Sequence, residues 1–138
     1  MKDYTQEIRN YIYQQLNGNI TLNAANVPIL NKTSYPYIEV EPTSSVNRNT
    51  KTNYGKETAV NVIINTRFKN QLGRYDDCEN ISNQVFQILG VRGQSINLGG
   101  DYTAVIVKFT QENYLLEYDE NFDYYTKVIG LSFTYYED

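Results

Sequence analysis

Five residues in the C-terminal third, Asp119-Glu120-Asn121-Phe122-Asp123, open like a calcium loop, with oxygen-bearing side chains at the first, third and fifth places. Such a loop needs Gly at its sixth place and a bidentate Glu at its twelfth. Tyr124 and Gly130 stand there instead, so the stretch reads as an acidic hairpin turn and no metal is expected. Gly90-Val91-Arg92-Gly93 has the form of the clamp used by one class of RNA-binding module. That clamp belongs between two helices, whereas loop and strand follow here, so a helix cap and turn is the expected role. Cys78 lies on an apolar stripe beside Asp76, Asp77 and Glu79. Nearby carboxylates raise a thiol pKa, which makes it a poor nucleophile. The chain has no His, which removes Ser-His, Cys-His and His-ligand schemes together. Paired carboxylates can do acid–base work without His, but none is singled out by its context. The chemistry points away from an enzyme and calls for no cofactor.

The elements that carry these residues follow from periodicity. Tyr4, Ile8, Ile12 and Leu16 recur every fourth residue, so Asp3 to Leu16 is expected as an amphipathic helix, stopped by Asn17-Gly18. Asn19 to Asn26 reads as loop, Val27 to Leu30 as a short strand, and Tyr35 to Pro42 as a strand bracketed by prolines. Thr43 to Lys56 is rich in Ser, Thr and Asn and is expected as a long mobile loop. Glu57 to Phe68 is the strongest central strand, with Val60, Val62, Ile64, Thr66 and Phe68 on one face. Asn70 to Arg74 turns. Tyr75 to Leu89 is a second helix, buried through Cys78, Ile81, Val85 and Ile88 or Leu89. Val91 to Asp101 connects to a hairpin of two long strands that reverses at Asp119-Glu120-Asn121. In the last strand Ile129, Leu131, Phe133 and Tyr135 share an oily face, opposite Val128, Gly130, Ser132 and Thr134. The expectation is one domain over 1–138, a two-layer α+β sandwich. It has a mostly antiparallel sheet covered by two helices, in the order α-β-β-β-α-β-β.

Composition narrows the class. The single Cys excludes an internal disulfide and fits a reducing compartment. No apolar run approaches the about 18 residues of a membrane span, and no secretory leader is apparent. A chain made in the cytoplasm and not inserted in a membrane is expected. The net charge of −4 hides a segregation: residues 1–42 carry −1, 43–74 carry +5, and 75–138 carry −8. These are either solvated faces or edges of opposite sign that let copies meet head-to-tail. Fourteen Tyr and five Phe are ample for a core and an interface. Tyr124, Tyr125, Tyr135 and Tyr136 cluster on the last strand. They are candidate interface residues, together with Arg48, Lys51, Lys56, Asp119, Glu120 and Asp123.

The order of parts resembles the tail-terminator, or tail-completion, proteins of tailed bacteriophages, and more broadly their small head–tail neck proteins. The resemblance is carried by the opening helix, the Pro28-Ile29 strand and Tyr35-Pro36-Tyr37-Ile38-Glu39-Val40 before a polar loop. It continues through the strand from Glu57 to Arg67, the helix from Tyr75 to Leu89 and the hairpin with its acidic turn at Asp119 to Asp123. It implies a structural virion protein that forms a ring, a hexamer in such families, at the tail or neck. Its neighbours would be tail-tube or connector proteins, and genomic DNA would pass through without sequence-specific binding. An acidic lumen would let DNA slide, since adhesion needs basic groups. The rival from another class is a small monomeric module that binds a ligand or protein.

Overall fold

In the computed structural model the described residues are 4–30, 34–49, 54–69, 75–90, 96–97 and 102–137. Lys51, the Asn70–Arg74 turn, and Arg92 and Gly93 of the connector lie outside them.

Helix α1 spans Thr5–Leu16 and buries Ile8, Ile12 and Leu16, with Tyr4 buried just ahead of it. The stripe repeats every fourth residue because neighbours one turn apart share a face. The helix stops where Asn17 turns extended and donates its N–H to the Tyr13 carbonyl. Gly18 then takes a positive φ of 77°, a conformation that costs glycine little.

The segment expected as loop holds a small hairpin, β1 (Thr21–Leu22) with β2 (Ala25–Asn26). Its two central residues, Asn23 and Ala24, both have positive φ, as the tightest hairpin turns require. Gln84 fastens it to the second helix. The Gln84 Oε1 accepts the Thr21 N–H at 2.9 Å and its Nε2 donates to the Thr21 carbonyl at 2.7 Å. The expected strand at Val27 to Leu30 reduces to one parallel bridge, Ile29 with Ile38.

Strand β3 (Tyr37–Asn47) pairs antiparallel with β4 (Gly55–Lys69). This corrects the long loop over Thr43 to Lys56, whose first five residues continue β3 and whose last two begin β4. Pro42 does not break β3. Ile38 donates its N–H to the Pro28 carbonyl and accepts from Leu30, so its polar groups point to the outer edge. Ladder bonds alternate along a strand, which puts Pro42 on the same outward parity, where a missing N–H removes no bond to β4. A bulge follows between Pro42 and Ser44.

Helix α2 covers Tyr75–Leu89, as the periodicity indicates, and buries Cys78, Ile81, Ser82, Val85 and Leu89. After the two-residue β5 (Ile96–Asn97) come β6 (Tyr102–Tyr118) and β7 (Phe122–Glu137). The sheet order is β3-β4-β7-β6-β5, and every ladder within it is antiparallel. Both helices lie on one face, so the fold is α+β with helices packed on an antiparallel sheet.

The core is the face the alternation marks. Val60, Val62, Ile64, Ile129, Leu131, Phe133 and Tyr135 meet Ile8, Ile12, Ile81 and Val85 from the helices, all of them nearly or fully buried. Each such aliphatic side chain contributes about 1.5–3 kcal/mol of burial. Cys78 is in this layer, and its thiol is pushed up to about 12, first by burial and then by Glu79. Burial outweighs the carboxylates that the sequence pointed to. Cys78 is therefore expected to resist a thiol-reactive disulfide reagent at pH 8 and to react at once in denaturant. Stoichiometric reaction of the folded chain within minutes would show the helix layer opening.

Candidate interaction surfaces

The helices pack on β3, β4 and β7, and α2 reaches β6 through Phe86 on Phe109. Residues 108–121 are all exposed although β6 pairs with β7 along its length, interrupted by two register shifts. Eight large apolar residues are exposed among the described ones, and five of them lie here: Phe109, Tyr114, Leu115, Leu116 and Tyr118. Consecutive residues of a strand point to opposite faces, so Leu115 and Leu116 make both sides of this arm apolar. On its other edge β6 pairs with β5 only at Thr103 and Ala104. A long exposed edge strand of this kind is a template for adding another strand.

The root of the arm is fastened by Lys127. By alternation Lys127 points to the helix side, and its side chain is 3% exposed. Its Nζ lies 3.1 Å from Glu79 Oε2 on α2 and 3.1 Å from Glu112 Oε1 on β6. The same ammonium sits 5.1 Å from the Tyr114 ring centroid and 5.6 Å from that of Phe86. Burial alone pulls the lysine pKa down, but hydrogen bonds with Glu112, Glu79 and Tyr114 outweigh it and leave it raised. Beside it, Phe86 packs edge-on to Phe109 at 4.7 Å. A cleft of about 230 Å³ opens there, lined by Phe86, Phe109, Thr110, Gln111 and Glu112.

At the far end of the arm the acidic turn is self-contained. One oxygen of Asp119, Oδ1, accepts the N–H groups of Asn121 at 2.9 Å and Phe122 at 2.8 Å. The other, Oδ2, accepts the Tyr124 hydroxyl at 2.8 Å. The backbone bonds, with Asn121 first, hold this carboxyl below the usual range. Asp119 is thus a turn-former, with Oδ1 on the backbone of its own turn and Oδ2 on the Tyr124 hydroxyl. Glu120 is exposed, and Asp123 is half-buried opposite Phe68 and Tyr118. Among the described residues no group of three His, Cys, Asp or Glu could hold a metal ion.

Next to this turn, on the sheet face away from the helices, rings gather around Arg67. Its guanidinium lies 4.3 Å from the Phe122 ring centroid and 5.0 Å from that of Tyr35, and Tyr35 packs on both Tyr37 and Tyr124. Arg67 was counted in the basic middle of the chain. The structure places it and Lys69 by the acidic turn, because β4 carries the two halves of that stretch to opposite ends of the sheet.

The opposite corner holds the remaining basic candidates. Arg48 Nε lies 3.0 Å from Glu57 Oε2 and the pair is part-exposed. Glu57 is held below the usual carboxylate range, chiefly by Arg48 and then by Ser132. Lys56, the second residue of β4, lies beside them, half-buried. Gly55 is closed in by the Arg48 carbonyl and the ring of Tyr136, which leave no room for a Cβ. Exposed Val46 and Tyr54 flank this tip.

The four tyrosines of the last strand do not form one surface. Tyr124 faces the Arg67 cluster. Tyr125 lies half-buried on the helix side between Tyr75 and Tyr114. Tyr136 lies over Gly55, 14 register positions along β7 from Phe122 at the turn end. Tyr135 is fully buried, so its placement on an interface is corrected: its ring packs edge-on to Tyr4 and its hydroxyl lies 3.2 Å from Thr58 Oγ1. Among the described candidate residues, Asp119 and Tyr124 are joined by a side-chain hydrogen bond. The arm from Phe109 to Tyr118, the Arg67 cluster and the Lys127 anchor were not singled out as sites from the sequence.

Compared with protein-family models and with curated protein sequences, the chain matches none. Among the described residues no helix is long and apolar enough to cross a membrane.

Proposed function

We propose that this chain is a non-enzymatic structural protein of a tailed-bacteriophage virion. It is a tail terminator or neck component that assembles as a ring, a hexamer by resemblance, between tail-tube or connector proteins. Genomic DNA passes it without sequence-specific binding, and the protein acts in the virion tail or neck. The order of parts in the sequence supports this reading, and one observation carries it furthest: residues 108–118 of β6 stand exposed, with large apolar side chains on both faces of the strand. Such a surface fits a protein that works by contact. Among the described residues, the clefts at Arg9 and Glu41 and at Phe86 and Phe109 hold about 250 and 230 Å³, below the about 300–1,000 Å³ of most ligand sites.

Light scattering across a concentration series, with negative-stain images of the same samples, tests the proposal. The protein is measured alone and with tail-tube and connector proteins of the same virion. Annular particles are expected in at least one mixture. A monomer in every mixture would overturn the ring and leave the monomeric binding module.

A further inference from the structure

We infer that Arg67 and Lys69 form a subsite for carboxylates of a partner protein, taking an extended acidic segment whose carboxylates fall at alternate positions. The inference goes beyond the ring and stands whether or not one forms.

Thr66 and Phe68 of β4 are buried on the helix side, so by alternation Arg67 and Lys69 project from the open face of the sheet. They stand opposite Tyr124 and Phe122 of β7, and both are exposed. Alternate residues of a strand lie about 6–7 Å apart. Among the described residues neither cation makes an ion pair or a hydrogen bond. Arg67 is held in place all the same. Its guanidinium lies over the rings of Phe122 and Tyr35 at 4.3 and 5.0 Å, and Tyr35 packs on Tyr124 at 5.7 Å. A ring meets the flat face of a guanidinium and leaves its N–H edge for other partners. A fork already fixed loses less freedom when it binds.

The neighbouring acids do not use these donors, and they decide which anion fits. Asp119 is close enough for Arg67 to help lower its pKa, yet its oxygens hold the Asn121 and Phe122 N–H groups and the Tyr124 hydroxyl. Glu117 stands exposed opposite Tyr124 on β6. A nucleic acid carries an unbroken row of phosphates and needs a row of basic groups. Here two cations are bordered by carboxylates, which would repel the rest of that row. An acidic segment carries charge only at its own carboxylates. In an extended chain alternate side chains also repeat at about 6–7 Å, so a Glu-x-Glu run sets one carboxylate on Arg67 and the next on Lys69. Arg67 can donate two parallel N–H bonds to its carboxylate, while Lys69 acts as a point charge. The surroundings suit a protein partner as well, since Arg and Tyr are enriched among the residues that dominate protein interfaces.

NMR titration of the whole chain tests this, read at the Arg67 Nε–H and at the backbone amides of residues 67–69 and 122–124. The probe is a capped peptide, Gly-Glu-Gly-Glu-Gly. Gly-Gln-Gly-Gln-Gly is the neutral control and a short oligothymidylate the polyanion. Saturable shifts at these resonances are expected with the acidic peptide in the millimolar range, and none with the neutral one. Arg67→Gln with Lys69→Gln is expected to weaken binding about tenfold or more, as the loss of a charge-assisted hydrogen bond does. Arg67→Lys keeps the charge without the fork and is expected to fall between. Both residues are exposed, so circular dichroism of the variants is expected to match the unchanged chain. No saturable shift with the acidic peptide would overturn the proposal. So would unchanged binding by the double variant, or a neutral peptide that binds as well. Tighter binding of the oligothymidylate at the same resonances would make this a nucleic-acid site and overturn it too. None of these outcomes bears on annular particles, so the subsite and the ring fail separately.

Discussion

Replacing Glu79 and Glu112 together with glutamine is expected to lower stability by about 3–5 kcal/mol at neutral pH, because it leaves a buried ammonium without a counter-charge. Lys127 is the group at stake, 3% exposed and 3.1 Å from each carboxylate. The glutamines keep the shape and can still accept hydrogen bonds, so the loss is one of charge. Adding Lys127→Met to the same variant is expected to recover most of it, since methionine fills the space of the lysine stem and removes the ion. Lys127→Met alone is the milder change. It leaves two carboxylates that are 42% and 44% exposed and are therefore hydrated. Urea unfolding of the four proteins decides the matter. A double variant as stable as the unchanged chain would mean that Lys127 reaches water. The pH dependence has a definite sign as well. A lysine whose pKa is raised on folding contributes stability that is fully present below its unfolded value of about 10.4. That contribution is lost as pH rises through the folded value. The unchanged chain should therefore lose stability in strong alkali more steeply than the triple variant.

This anchor shows what a reading of one dimension can and cannot reach. The alternation that puts Ile129, Leu131 and Phe133 inside also puts Lys127 inside, and that parity was visible in the sequence. Its partners were not. Glu79 is on a helix 48 residues away and Glu112 lies across a hairpin whose register includes a shift between Phe109 and Gln111, so the meeting point exists only in the fold. The same division runs through the whole chain. Helix α2 and the inner face of β4 were legible because buried elements repeat with a fixed period. The end of β3 was not, because Thr43 to Asn47 is an exposed edge whose Ser, Thr and Asn carry no alternation to read. The β1–β2 hairpin was missed for a different reason: it relies on positive φ at Ala24, where composition gives no hint. The arm was half seen. Tyr114, Leu115 and Leu116 suggested a strand, but adjacent apolar residues match neither one-sided burial nor a loop, and that mismatch was the available sign of a strand with exposed apolar residues on both faces.

Tyr135→Ala is expected to cost about 3–5 kcal/mol, the range for removing a large buried ring. A tyrosine used only at an interface would change the isolated chain by less than about 0.5 kcal/mol. The difference separates the two roles in one unfolding curve. Tyr135 belongs to the oily parity of β7, with no exposed surface, and its ring meets Tyr4 at 5.8 Å and an interplanar angle of 83°. Its hydroxyl accepts the Tyr4 N–H at 3.4 Å and lies 3.2 Å from Thr58 Oγ1. These contacts tie the start of α1 to β4 and β7, so the alanine variant should also loosen the first turn of the helix. Tyr135→Phe keeps the ring and deletes the hydroxyl; its expected cost is about 1–2 kcal/mol, because the Thr58 hydroxyl beside it loses a partner. Hydrogen exchange should then speed up at Ile8, whose N–H is bonded to the Tyr4 carbonyl at 2.9 Å. If the alanine variant unfolds like the unchanged chain but fails to assemble, Tyr135 is at an interface after all and the core boundary lies one residue short of it. If both variants lose stability in the expected order, Tyr135 belongs to the core, and the candidate interface tyrosines of β7 reduce to the half-buried Tyr124, Tyr125 and Tyr136.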